Sequence, residues 1–150
     1  MDADTYPNPD VQQVLTEHLI PLRVPHDQEP LAARYKVSST PLLILVDAQG
    51  QEIQRIQGVH PPDEFIPAVL IGLAKIHLQA GRYALSLEYL SEIFSRYPES
   101  QAVPESLLLQ GQDLHRQTGD PTHLRRAYET LHRDHPDSPW TWEASRYRLL

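Results

Sequence analysis

The sequence, of 150 residues, lacks one of the main reactive residue types, cysteine. A disulfide scaffold, a thiolate zinc or iron–sulfur site and a cysteine nucleophile are therefore excluded for this chain. The sequence also has no Gly-x-Ser-x-Gly elbow, phosphate-binding loop or dinucleotide glycine pattern, so it predicts neither a serine hydrolase nor a nucleotide-dependent enzyme.

Eight histidines raise the question of a metal site. His132 and His135 are three residues apart, with His115 and His123 earlier in the chain. No further ligand type recurs beside them at a fixed spacing, and a helix dipole by itself favours histidine near a helix C-terminus. We expect no metal and no cofactor.

Charged residues form two further groups. Asp63 and Glu64 could serve as paired carboxylates, but their place just after two prolines is typical of the first turn of a helix. Four arginines could form a basic stripe for an acidic peptide: Arg116, Arg125, Arg126 and Arg133. Because acidic residues are interleaved with them, we expect a solvated, salt-bridged face instead.

The overall charge bears on partners and location. Thirteen Lys and Arg against twenty Asp and Glu leave a formal net charge of −7, and no basic run is present. Nucleic acid and anionic membranes both require concentrated positive charge, so neither is an expected partner. The acidic N-terminus does not resemble a signal peptide, and no apolar run approaches the roughly 20 residues of a membrane span. The default expectation is a cytoplasmic protein, although a signal upstream of a wrongly assigned start would change it.

Two apolar patterns divide the chain at about residue 60. Before it, apolar residues come in short runs, as in strands; after it, they recur every three or four residues, as in helices. The first part predicts a helix over residues 10–18 capped by Asn8, a strand over 19–24, a short helix over 29–35, a strand over 42–46 buried on both faces, a hairpin strand over 52–57 and a helix opening at Pro61-Pro62. We therefore expect an α/β fold followed by an all-α part.

The run from Tyr35 to Gly58 carries a resemblance to a known family. Tyr35, Val37 and Pro41 stand before the apolar run that begins at Leu42, in a Tyr-x-Val-x-x-x-Pro arrangement. This run and its flanks, roughly residues 1–70, resemble the C-terminal two thirds of a thioredoxin-like domain. The resemblance implies that Pro41 corresponds to the cis-proline of the family. It also implies a face that receives a substrate peptide, formed by Thr40, Pro41, Val59 and His60.

The same resemblance identifies a segment that the chain lacks. The family has a first central strand ending in a Cys-x-x-Cys motif, and Met1 to Val11 resemble the segment just after that motif. Two explanations stay open: a late start or shortened chain, or a domain that has lost its redox half. The unpaired strand at 42–46 could be completed by the strand at 19–24, by a strand from another chain or by a second copy, or the N-terminal half could stay loosely ordered.

The second half contains a repeat. Gly81 and Gly119 are 38 residues apart (119 − 81 = 38), and so are Pro98 and Pro136. The pattern resembles tetratricopeptide (TPR) repeats, which pair two helices around a turn with glycine. The resemblance implies two repeats and a closing helix over 63–150, sharing a helix at 63–79 with the first domain. Its predicted packing and turn positions are Leu70, Leu73, Ala74, His77, Gly81, Leu90, Ile93, Pro98, Gly119, Tyr128, Pro136 and Trp142.

Two functions are therefore expected from the sequence. The first is a thioredoxin-like protein of the thiol-disulfide oxidoreductase family that is redox-inactive, because thiol-disulfide exchange requires a thiolate and the chain has no cysteine. The alternative is a non-catalytic TPR-type module that binds a protein or peptide. A homo-oligomer through the unpaired sheet edge is a further expectation.

Overall fold

A computed structural model describes all of residues 1–150. The elements, in chain order, are α1 Pro9–His18, α2 Leu31–Arg34, β1 Leu42–Val46, β2 Glu52–Gln57, α3 Pro62–Gln79, α4 Tyr83–Arg96, α5 Val103–Thr118, α6 Thr122–Asp134, α7 Pro139–Ala144 and a final 3-10 turn Ser145–Tyr147. The chain divides into two compact units, Met1–Gly72 and Leu73–Leu150, so the boundary falls within α3. None of these helices combines the length and the apolar character needed to cross a membrane.

The first helix begins as its sequence predicts. The Asn8 side chain accepts hydrogen bonds from the amides of Asp10 and Val11, and Pro9 occupies the first turn, where its missing amide hydrogen has no cost. Val11 and Val14 are buried on one face of the helix. The predicted helix and its cap are confirmed.

The sheet of the first unit is a two-stranded antiparallel hairpin. Leu42 lies opposite Gln57 and Ile44 opposite Arg55, with an irregularity between Leu45 and Val46. The turn between the strands is closed by Asp47, whose Oδ1 accepts the amides of Gln49 and Gln51 at 2.9 Å. The hairpin predicted by the sequence is therefore confirmed.

The burial predicted for β1 is wrong. Only Leu45 is buried in this strand, the three residues before it are half-buried, and Val46 is exposed. The strand has a partner on one side only, because the sheet contains no strand besides β2. The buried Leu45 lies against Gly72, where an added Cβ would stand 2.6 Å from Leu45 Cδ2, so the absence of a side chain at Gly72 permits this contact.

The strand predicted over residues 19–24 is also wrong. The segment forms neither helix nor strand, and Ile20 is 99% exposed. Pro21 cannot donate to a ladder, and no strand of the unit is available to pair with the segment. The short helix predicted over 29–35 is smaller than expected and covers Leu31–Arg34, because Glu29 precedes a proline and is disfavoured from the helical region.

The core of the first unit is built mainly by α3. Phe65, Val69 and Leu70 are completely buried in this helix, and Ile56 of β2 is buried as well. The Tyr6 ring meets the Phe65 ring edge to face, with centroids 5.9 Å apart.

The second unit consists of helices packed against their neighbours in sequence. Helix α5 contacts α4, α6 and α7, and α6 also contacts α7. Gly111 explains the close approach of α5 to α6, because a Cβ there would stand 2.6 Å from Ala127 Cβ and 3.0 Å from the His123 carbonyl oxygen. From the sequence alone, a glycine is unexpected on a packed helix face; the close approach accounts for it.

Helix α4 and helix α6 end in the same way, 38 residues apart. The cap residues Tyr97 and His135 have similar backbone angles, φ −132° and ψ 49° against φ −137° and ψ 53°. Three residues after each cap residue, a serine hydroxyl accepts the amide two positions further on: Ser100 from Ala102, and Ser138 from Trp140. The internal repeat in the sequence therefore corresponds to a repeated local structure.

The predicted packing positions of the second half differ in their burial. Buried positions are Leu70, Leu73, Ala74, Leu90 and Ile93, whereas His77 and Tyr128 are half-buried. The turn positions Gly81, Pro98, Gly119 and Pro136 are exposed, the glycines at positive φ and the prolines just after the cap residues of α4 and α6.

The packing position predicted for Trp142 is wrong, because its side chain is directed away from the core and is 77% exposed. Trp140 packs instead against the cluster of Leu108, Leu131 and Ala144. The cause is the short α7, which begins at Pro139 and buries Thr141 and Ala144 rather than Trp142.

Candidate functional site

The candidate peptide-binding face lies at the open end of the hairpin of the first unit, where the chain enters β1 and leaves β2. Leu42 opens β1 opposite Gln57, which closes β2, so the preceding Pro41 and the following Gly58 are brought together. The Gly58 amide donates to the Pro41 carbonyl at 2.9 Å. Gly58 has a φ of +89°, a conformation that glycine adopts without strain and that turns the chain toward Val59. The four predicted residues Thr40, Pro41, Val59 and His60 are therefore neighbours.

Side-chain hydrogen bonds hold the two connecting segments in place. Gln57 Nε2 donates to Ser39 Oγ at 2.8 Å, which ties the segment before β1 to the end of β2. The His60 ring is bound to the Gln57 carbonyl through Nε2 at 2.9 Å. The Thr5 hydroxyl donates to the His60 carbonyl at 2.5 Å. These hydrogen bonds fix both segments of the face, the one before β1 and the one after β2.

The exposed groups of this face are uncharged. Val59 is 69% exposed, Thr40 is exposed and Pro41 is half-buried. The main-chain N–H and C=O of Thr40 and of Val59 make no hydrogen bond within the chain. The Thr40–Pro41 peptide bond is cis. Unsatisfied main-chain groups beside an exposed apolar side chain are what an extended peptide requires of its binding surface.

Sequence reasoning missed three residues that build the face. Ser39 and Gln57 carry no distinctive signal because each is an ordinary polar residue, although the strand register would have placed Gln57 near the segment that precedes β1. Thr5 was missed because its contact with His60 spans 55 positions of sequence.

The second unit contains a buried acidic residue outside this face. Asp113 on α5 is fully buried, its Oδ2 accepts a hydrogen bond from Ser86 Oγ at 2.6 Å, and its Oδ1 has no hydrogen-bond partner. Burial raises the pKa of Asp113 to about 6, and the Ser86 hydrogen bond and the charge of Arg116 oppose this rise. Neither this acid nor the histidines around it belong to a cluster: no group of three or more His, Asp or Glu side chains is arranged to hold a metal ion.

Comparison with protein-family models gives one result that bears on the fold and the face. Residues 1–70 match the model of a thioredoxin-like domain. Residues 1–70 are therefore similar to a thioredoxin-like domain, and the candidate peptide-binding face lies within this matched part of the chain. Searches of curated proteins and of solved structures returned no significant match.

Proposed function

We propose that this protein binds an extended polypeptide segment on the face formed by Thr40, Pro41, Val59 and His60, without thiol chemistry. The proposal rests on the main-chain N–H and C=O groups of Thr40 and Val59. These groups make no hydrogen bond within the chain and lie beside the exposed apolar side chain of Val59. An extended peptide would pair with these main-chain groups and pack a side chain against Val59. The thioredoxin-like match supports the same face, because the resemblance to that family implies a peptide surface beside Pro41.

The chemistry of the face favours an uncharged segment. Its side chains carry no acid, Lys or Arg, so attraction to a charged peptide would have to come from elsewhere. Main-chain pairing is largely independent of sequence, and specificity would come from the side chain seated at Val59. The absence of cysteine means that the bound segment would be held and not oxidised or reduced by this chain.

The experiment is a binding titration with short fluorescently labelled peptides of alternating apolar and polar uncharged residues. Val59→Asp should weaken binding at least tenfold, about 1.4 kcal/mol, because a carboxylate would be desolvated against an apolar side chain. Leu149→Asp is the matched control, since Leu149 is also strongly exposed and lies in the other unit. Absence of binding to the wild-type chain, or equal binding by Val59→Asp, would contradict the proposal.

The helical second half is proposed to be a TPR-like interaction module. Its support is the repeated cap and serine turn at 97–100 and 135–138, together with glycines of positive φ at Gly81 and Gly119. Helical hairpins of this kind stack to bury a continuous core. Peptide binding by the face and by this half can be separated in the full chain, because Val59→Asp should affect only the first.

The free edge of β1 supports a second mode of association. Four of the five β1 residues are Leu or Ile, the fifth is Val, and β2 is the only strand paired with them. An apolar edge strand pairs readily with another chain. We propose that two copies associate through this edge at high concentration. Sedimentation over a range of concentrations tests the proposal, and Ile44→Lys should shift the protein toward the monomer.

A further inference from the structure

A cavity of about 330 Å³ opens in the second unit between the end of α5, the start of α6 and the final 3-10 turn. It is lined by Gln112, His115, Arg116, Leu124, Arg146 and Tyr147. Gln112, His115 and Arg116 stand at spacings of three and four on α5, so they share one face of this helix. Arg146 and Tyr147 face them from the 3-10 turn, and Gln112 Nε2 donates to the Tyr147 hydroxyl at 3.4 Å.

The polar groups of the cavity are nearly all hydrogen-bond donors. Two guanidinium groups, an amide, a phenol and an imidazole line it, and no carboxylate does. The Arg116 side chain makes no hydrogen bond or ion pair within the chain, so its five guanidinium N–H groups are available. Arg146 is held by Glu143 at 2.8 Å, which occupies one of its nitrogens and fixes the direction of the guanidinium.

Two nearby carboxylates offset the positive charge of the cavity in part: Glu143 pairs with Arg146, and the charge of Arg116 lowers the pKa of Asp113 against the rise that burial causes. The Asp113 carboxylate is fully buried and bonded to Ser86. His115 contributes a ring nitrogen, Nδ1, that is buried and has no hydrogen-bond partner. The cavity therefore keeps one arginine side chain without an ion-pair partner, Arg116, beside further donors in a chain with a net charge of −7.

We infer that this cavity binds a small oxyanion, with the forked guanidinium of Arg116 and that of Arg146 facing its oxygens. Guanidinium groups bind phosphate and carboxylate oxygens through parallel charge-assisted hydrogen bonds. Gln112 and Tyr147 add neutral donors, and Leu124 provides an apolar wall for the rest of the molecule. Phosphate and carboxylate oxygens present the same chemistry to these groups, so a titration with each anion is needed to tell a phosphate ligand from a carboxylate ligand.

The test is isothermal titration of the full chain with inorganic phosphate and, separately, with citrate, at matched ionic strength set by sodium chloride. Saturable binding of one anion or both is expected. Arg116→Gln and Arg146→Gln should each weaken it at least tenfold, because each removes a charge-assisted pair. Arg126→Gln is the matched control, since Arg126 is an exposed arginine of α6 that does not line the cavity.

Each outcome decides the proposal. Binding of phosphate alone, of citrate alone or of both, with loss in the two cavity variants, supports an oxyanion site and identifies its ligand class. Absence of saturable heat with both anions overturns it, as does equal weakening by Arg126→Gln, which would indicate general charge attraction. Arg146 is largely exposed, so Arg146→Gln is expected to keep the fold; a thermal melt by circular dichroism verifies this.

Discussion

Ser86 on α4 donates a hydrogen bond of 2.6 Å to Asp113 on α5, and both residues are completely buried. One oxygen of the carboxylate is satisfied by this bond and the other has no partner. A buried acid with a single hydrogen bond is costly when ionised, which is why the pKa of Asp113 rises to about 6 from an ordinary value of 3.8.

The protonation of Asp113 should make the free energy of unfolding depend on pH. Between about pH 4 and pH 6 the folded chain keeps a proton on Asp113 that the unfolded chain has released, so the free energy of unfolding falls as the pH rises through this window. The full contribution is roughly 3 kcal/mol by linkage, of which about 2 kcal/mol is lost between about pH 4.5 and about pH 7.5. Asp113→Asn should remove it, as measured by urea unfolding at about pH 4.5 and about pH 7.5.

The comparison is made as the difference between wild type and variant, because other carboxylates also titrate in this range. Asp137→Asn, a substitution of an exposed acid in the turn after α6, serves as the control. If Asp113→Asn and wild type show the same pH dependence, the buried-acid interpretation is contradicted.

Gly111→Ala should destabilise the second unit although alanine is the better helix former. The added Cβ would stand 2.6 Å from Ala127 Cβ, a distance that α5 and α6 can relieve only by moving apart. Overpacking of this kind costs about 1–3 kcal/mol, against a propensity gain of about 1 kcal/mol. Urea unfolding of Gly111→Ala, Ala127→Gly and the double variant measures the coupling, which should be favourable by about 1 kcal/mol. An additive cycle would mean that the two helices do not approach here.

The two tryptophans should differ sharply when replaced by alanine. Trp140 packs against Leu108, Leu131 and Ala144 and lies 5.9 Å from the Lys75 ammonium, so Trp140→Ala should cost about 2 kcal/mol. Trp142 is exposed, so Trp142→Ala should change the free energy of unfolding by less than about 0.5 kcal/mol. Acrylamide quenching of each single-tryptophan protein gives an independent readout; stronger quenching of Trp140 would contradict the assignment.

The chain should not reduce insulin disulfides in the presence of dithiothreitol at any rate above the buffer. Attack on a disulfide requires a thiolate, and the sequence supplies none. Turbidity from precipitated insulin B chain is the measurement, with a thioredoxin containing its Cys-x-x-Cys motif as the positive control. Turnover by this chain would overturn the expectation.

Local signals in the sequence were sufficient for several elements. Asn8 and Pro9 set the start of α1, because capping depends only on neighbouring backbone groups. The hairpin over β1 and β2 followed from an apolar run, a turn at Asp47–Gly50 and a second strand. The repeat of 38 residues was likewise visible in the sequence, because Gly81 and Gly119 each follow a helix at a positive φ that glycine adopts without strain.

Contacts between distant residues were decided only by the tertiary structure. Residues 19–24 satisfy the pattern of a strand, but a strand needs a neighbour to pair with, and the first unit offers none there. Trp142 satisfied a repeat position, but the direction of α7 placed Trp140 against the core instead. The positions of Thr5 against His60 and of the arginines around the cavity depend on packing over long sequence separations. Local sequence patterns therefore specified most of the elements, the absence of thiol chemistry and the repeat, whereas the partners of each face were set by packing, which no local pattern encodes.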